Sequence, residues 1–174
     1  MQLREEHGLK AEDIDSVSIR VHSLVLELTG KKAPRTGLEA KFSVYHACAA
    51  GILRGQAGED EFSDEMVARA DVIALRDRVR ATVDPAITEA AADVTVICKD
   101  GRSLHLFVAQ AIGSMERPMT DADLARKFHG LVDPVLGVAP ATALLEQCEG
   151  LSKCADLRSL TALACGAPQR RSPG

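Results

Sequence analysis

Residues 93–113, DVTVICKDGRSLHLFVAQAIG, constrain the fold of this chain more than any other stretch. Two runs rich in β-branched and apolar residues flank Lys99-Asp100-Gly101. An Asp-Gly pair supplies the backbone freedom that a tight hairpin turn needs. A lone hairpin is marginal in water, so other segments must add strands and a layer to cover one face. Residues 14–24, IDSVSIRVHSL, supply one strand: Val17, Ile19 and Val21 alternate with Ser18, Arg20 and His22, the period of a half-buried strand. RDRVRATVD, residues 76–84, reads as another. His22 falls on the polar face as an exposed histidine, and His105 falls inside the second hairpin strand as a structural one.

Helical signals surround these strands. MQLREEHGLKAEDID reads as the last two turns of a helix closed by Gly8. An isolated helix needs roughly 12–15 residues to persist, so this one is expected to continue upstream or to lean on other parts of the protein. Residues 29–38, TGKKAPRTGL, form a loop, and a helix is predicted from Glu39 to Arg54. AGEDEF is an acidic turn, with Ser63 capping a short helix through Ala68. Helices are also predicted over 120–132 behind Thr120, over 139–148 and over 155–165. The reading is an α+β domain over residues 1–166, with a mainly antiparallel sheet of about four strands and helices packed on one face, and a disordered tail over 167–174.

Composition narrows the partners. A chain of 174 residues can bury roughly 70% of its unfolded surface, so a real core is expected. The net charge of −4 argues against nucleic acid or an anionic membrane as the main partner. No apolar run approaches the roughly 20 residues that span a bilayer, so the chain reads as soluble and cytoplasmic. Cys48, Cys98, Cys148, Cys154 and Cys165 include no C-x-x-C pair and read as reduced thiols, mostly in the core. There is no phosphate-binding Gly-rich loop, no G-x-S-x-G and no metal-ligand spacing.

Two stretches carry a family resemblance. TGLEAKFSVYHACAAGILRG (36–55) followed by EFSDE, and GSMERPMTDADLARKF (113–128), resemble the C-terminal half of the MmgE/PrpD family. That family includes 2-methylcitrate dehydratase, cis-aconitate decarboxylase and related epimerases. The resemblance runs from LREEHGLKAEDID to the last helix. It implies a cofactor-free lyase or isomerase acting on small di- and tricarboxylic acids by dehydration, decarboxylation or epimerisation. It also implies a homodimer, each subunit combining a large helical domain that holds most catalytic groups with a smaller α+β lid. This chain resembles the lid, and the helical domain that is its expected partner is missing from it. By itself the chain is therefore expected to be inactive. The alternative is a non-catalytic module, a truncated product kept for dimerisation or small-anion binding.

The site residues follow. The resemblance places the helix after KFS at the cleft between the two domains, with Tyr or His at the position of His46, where it would donate to a carboxylate or shuttle a proton. Read from the residues alone, His46 shares a helix face with Phe42, Ala49, Ala50 and Leu53, and is equally a core histidine bonded to a backbone carbonyl. Lys41 is expected in the first turn of that helix, with Lys31, Lys32 and Arg35 just upstream, so that a substrate carboxylate at the helix N-terminus would explain the local positive charge. A solvated basic loop with a snorkelling lysine explains it too. Tyr45 lines the same edge or packs. Ser114 is a candidate substrate contact, and Lys127 and Phe128 are read as structural.

Overall fold

The computed structural model describes residues 1–165. The tail expected over 167–174 lies outside the described residues. By their contacts the residues form two compact units, Met1–Arg117 and a second that begins at Pro118.

The first unit holds the sheet. In chain order it contains α1 (Gln2–His7), β1 (Ile14–Val21), α2 (Ser23–Thr29), α3 (Gly37–Ala40), α4 (Val44–Arg54), α5 (Asp64–Ala68), α6 (Ala70–Arg76), β2 (Val79–Val83), β3 (Ala92–Cys98) and β4 (Ser103–Val108). The strand order is β2-β1-β3-β4. The hairpin is present: β3 and β4 pair antiparallel, and Gly101 between them takes the left-handed φ of 89°. β1 pairs antiparallel with β3 but parallel with β2, so the sheet is mixed. The parallel pair corrects the mainly antiparallel expectation in part. Its cause is the helical crossover over residues 22–78, which carries the chain back to the end of the sheet from which β1 started.

Alternation along the strands builds one apolar and one polar face. Val17 stands between Val79 and Val96, and Ile19 between Ala81 and Val94. Leu3, Leu9, Tyr45, Ala49, Ile52, Met66, Val72 and Leu75 join these residues in one cluster, so α1, α4, α5 and α6 cover the apolar face. The opposite face carries Ser18, Arg20, Thr95 and His105.

The helix expected over 39–54 is broken. α3 ends at Ala40, Lys41 and Phe42 turn, and Ser43 is extended at φ −131°, ψ 102° before α4 begins at Val44. Ser43 ends the first helix because its hydroxyl is committed to capping the second. Two helices, α2 and α6, lie where no helix was expected. Their 7-residue lengths give too few turns for a periodic signal. His22 is half-buried and not exposed as expected, because its ring caps α2 by accepting from the Leu24 N–H at 3.3 Å.

The second unit contains α7 (Asp121–Leu136), α8 (Val138–Glu149) and α9 (Arg158–Ala164), close to the three predicted helices. Thr120 caps α7 in a reciprocal capping box with Asp123. The cysteines depart from expectation: Cys98 is buried and Cys48 partly so, but Cys148, Cys154 and Cys165 are exposed. Cys148 lies on α8, Cys154 in the segment before α9 and Cys165 just after α9, where little apolar surface covers them. Among the described residues no helix is long and apolar enough to cross a membrane.

Candidate functional site

The α3–α4 corner brings Lys41, Tyr45 and His46 onto consecutive turns of chain. Gly37, the first residue of α3, is held where only glycine fits, because a Cβ there would overlap the backbone carbonyl oxygen of Phe62. This close approach sets the 60–62 turn against α4. There the His46 ring, 0% exposed, donates Nε2–H to the carbonyl oxygen of Glu61 at 2.7 Å. Since a carbonyl can only accept, the proton sits on Nε2 and the lone pair on Nδ1. Nδ1 is buried with no partner among the described residues. The ring of Phe62 lies 5.4 Å away, tilted by 57°. Burial pushes the His46 pKa below the ordinary histidine value, the Glu61 carbonyl partly opposes that, and the nearby positive charge of Arg76 lowers it further. His46 is therefore a neutral imidazole at pH 7.

Glu61 is the residue that composition hid inside an acidic turn. Its side chain is 1% exposed yet ionised. Burial raises its pKa, but the Gly58 N–H at 2.9 Å, the Gln56 amide at 3.1 Å and the Arg54 guanidinium at 3.5 Å outweigh that and hold it below the usual carboxylate range. A buried carboxylate thus anchors the turn whose carbonyl orients His46.

Lys41 is not in the first turn of a helix. It caps the C-terminal end of α3, where a cation is favoured, and its ammonium is exposed and pairs with Glu59 at 3.1 Å. The N-terminal N–H groups that were expected to hold a substrate anion are met by the protein itself. Asp64 accepts from the Gly37 N–H at 2.6 Å, Thr36 from Glu39 N–H at 3.2 Å, and Ser43 from His46 N–H at 3.1 Å. Arg35 is exposed, and its backbone N–H donates to Glu39, whose other oxygen takes Lys31. Tyr45 is only 5% exposed and turns toward β2, where it lines a cleft with Lys32 and Arg76. Ser114 stands in the turn after β4, its hydroxyl accepting from the Arg117 N–H at 3.1 Å, and no hydrogen bond among the described residues joins it to the α4 corner. Phe128 is partly buried and Lys127 exposed.

A second polar cluster lies on the open face of the sheet. Arg20 bonds Asp84 at 3.0 Å and Asp93 at 2.7 Å, and the His105 Nε2 lies 3.0 Å from the other Asp93 oxygen. The Arg20 guanidinium holds the Asp93 carboxyl below its usual range. Among the described residues no three His, Cys, Asp or Glu side chains converge to hold a metal ion.

The KFSVYH corner and its supporting turn lie inside a stretch that a family model matches: the MmgE/PrpD C-terminal domain covers residues 1–151. The chain belongs to the MmgE/PrpD family. No curated protein matches it. For an MmgE/PrpD C-terminal domain, the corner splits into an exposed cation, Lys41, and a buried neutral base, His46, separated by one turn of chain.

Proposed function

We propose that this chain is the C-terminal, lid-type domain of a cofactor-independent lyase or isomerase acting on small di- or tricarboxylic acids. The observation that carries the reading is the family match over residues 1–151, which takes in the KFSVYH corner. Dehydration and epimerisation begin with removal of a proton from the carbon next to a carboxylate, whereas decarboxylation breaks the bond to a carboxylate leaving as carbon dioxide and returns a proton to the carbon left behind. Lys41 is placed to hold a carboxylate, because its ammonium is exposed and its present partner, Glu59, is a surface side chain that a substrate can displace. His46 offers a neutral lone pair at Nδ1 for proton transfer, with its tautomer fixed by Glu61. Arg35, Tyr45 and Ser114 complete the substrate-side candidates. The helical domain of the family, cytoplasmic placement and a homodimeric enzyme belong to the same reading.

A second reading is a non-catalytic module for dimerisation or small-anion binding. It is favoured by the full burial of His46 and by the protein's own capping of every helix N-terminus at the corner. The test assays the chain alone and joined behind a helical domain of the family, on 2-methylcitrate and cis-aconitate. The chain alone is expected to be silent and the joined protein active. In the joined protein, Lys41→Ala is expected to lower kcat/KM roughly ten- to hundredfold, the worth of a charge-assisted hydrogen bond, and His46→Gln about 10²- to 10⁴-fold, the worth of a proton-transfer group. Full activity in both variants would return the corner to packing and favour the module.

A further inference from the structure

We propose that the cleft where α6 meets β2 is a binding site for a small oxyanion, a carboxylate or phosphate, beside the α4 corner but lined by neither Lys41 nor His46. The cleft has a volume of about 370 Å³, room for a molecule of that size. Its walls carry three cations, Lys32, Arg76 and Arg80, against one acid, Asp77, together with Tyr45. Arg76 decides the matter. It is 6% exposed, and its Nε and Nη1 are buried with no hydrogen-bond partner among the described residues. It makes no ion pair among them either, whereas Arg20, Arg69, Arg102 and Arg158 are each paired at 3.0 Å or less. A guanidinium cannot shed its charge, so a buried one without acceptors is retained at a cost in solvation. An oxyanion in the cleft supplies the acceptors.

The neighbours fit this assignment. Lys32 is exposed in the loop before α3 and adds a second cation. Arg80 is already engaged, one nitrogen donating to the Asp77 carbonyl at 2.6 Å and to the Val79 carbonyl at 3.1 Å, so it shapes the wall and contributes charge at longer range. Asp77 opposes binding and lowers the net charge, which favours a compact anion that reaches Arg76 over an extended polyanion lying on the surface. This assignment does not rest on the lyase reading.

Calorimetric titration of the chain with inorganic phosphate and with citrate at low ionic strength tests it, with chloride at matched ionic strength as control. At least one anion is expected to bind saturably, and which of the two binds tighter names the ligand type. Arg76→Met should weaken that binding at least tenfold and Lys32→Ala severalfold. Asp77→Asn should strengthen it, and Lys99→Ala, on the exposed turn between β3 and β4, should leave it unchanged. The thermal midpoint of the wild type should rise on adding the anion, while that of Arg76→Met should not. Saturable binding lost in Arg76→Met and kept in Lys99→Ala upholds the site even where the joined enzyme is inactive. No saturation below about 10 mM, an affinity too weak for a built site, overturns it. Equal affinity in Arg76→Met overturns it as well. Should Arg76→Met not fold, Lys32→Glu on the exposed loop decides: unchanged affinity there also overturns the site.

Discussion

In the sheet unit Ile14, Val17, Val72 and Leu75 are each no more than 2% exposed, whereas among the described residues of the helical unit Ala141 and Leu144 are the buried ones and Leu124, Leu131 and Val135 remain 48–67% exposed. Both units are rich in helix, and both carry well-formed caps. What differs is what the apolar faces meet. In the first unit α4 and α6 close over a strand face whose alternation is continuous across β2, β1, β3 and β4. In the second, α7 packs on α8 and is further held by local terms: the Thr120–Asp123 capping box, the Arg126–Asp123 pair at 3.1 Å and the His129–Asp133 pair at 2.8 Å. Such pairs each contribute a few tenths of a kcal/mol, while one buried aliphatic side chain contributes about 1.5–3 kcal/mol. The first unit is therefore built round a buried core, whereas the second combines helix-on-helix packing that leaves much apolar surface exposed with local terms of small size.

The largest effect expected from this contrast comes from core deletion. Leu75→Ala, at a fully packed position on α6, should cost about 2–5 kcal/mol of unfolding free energy in urea. Leu144→Ala on α8 should cost less, at or below the low end of that range, because its surroundings can relax. Equal losses would erase the distinction between the units. Native-state hydrogen exchange sharpens it: amides of β1 and β3 should exchange only through global unfolding, and those of α7 and α9 through local opening. Protection of α7 equal to that of β1 would show that the second unit shares the cooperative core.

The two units also differed in how far their sequences could be read. The strands were legible because Val17, Ile19 and Val21, and in β3 Val94, Val96 and Cys98, lie on a face whose period of two survives folding. The direction of β2 was not, since strand pairing depends on the path of the crossover and not on the residues of the strand. The caps Ser63 and Thr120 were legible from short local patterns. The break at Lys41 was missed because Ser43 reads as an ordinary residue of a small-residue helix, and only the extended conformation there reveals it as a cap. At the site, His46 was found through its motif, while its anchor Glu61 and its charged neighbour Arg76 come from segments 15 and 30 residues away with no pattern of their own. At the N-terminus of α3 the Gly37 N–H donates to Asp64, a residue of the chain itself that the sequence pattern did not single out.

A smaller effect tests the buried imidazole. The folded-state pKa of His46 is lowered, so the unfolded chain binds a proton more readily there. The stability this contributes is full above the ordinary histidine value of about 6.5 and is lost as pH falls from there through the folded pKa. Urea unfolding at pH 7 and pH 5 should show wild type losing stability over this interval and His46→Gln losing less, so that the gap between them narrows toward pH 5. A gap that widens toward acid would mean that the folded state binds the proton better, and the ring would then face an acceptor at Nδ1.

The smallest effects compare two caps of the same chemistry, one in each unit. Ser43 is 2% exposed and accepts from the His46 N–H at 3.1 Å, whereas Thr120 is exposed and accepts from the Asp123 N–H at 3.2 Å. Ser43→Ala leaves a buried donor without an acceptor and should cost about 1–3 kcal/mol of global stability. It should also loosen the start of α4, where His46 sits. Thr120→Ala exposes the freed N–H groups to water, which replaces the lost acceptor, so its cost should be near the low end of the ~0.5–2 kcal/mol range for cap removal. That cost should appear as faster exchange at Asp123 and Leu124 with the urea midpoint of the sheet unit unchanged. If Thr120→Ala instead shifts the midpoint as much as Ser43→Ala does, the cap at α7 is coupled to the global transition, and the second unit cannot be held by local terms alone.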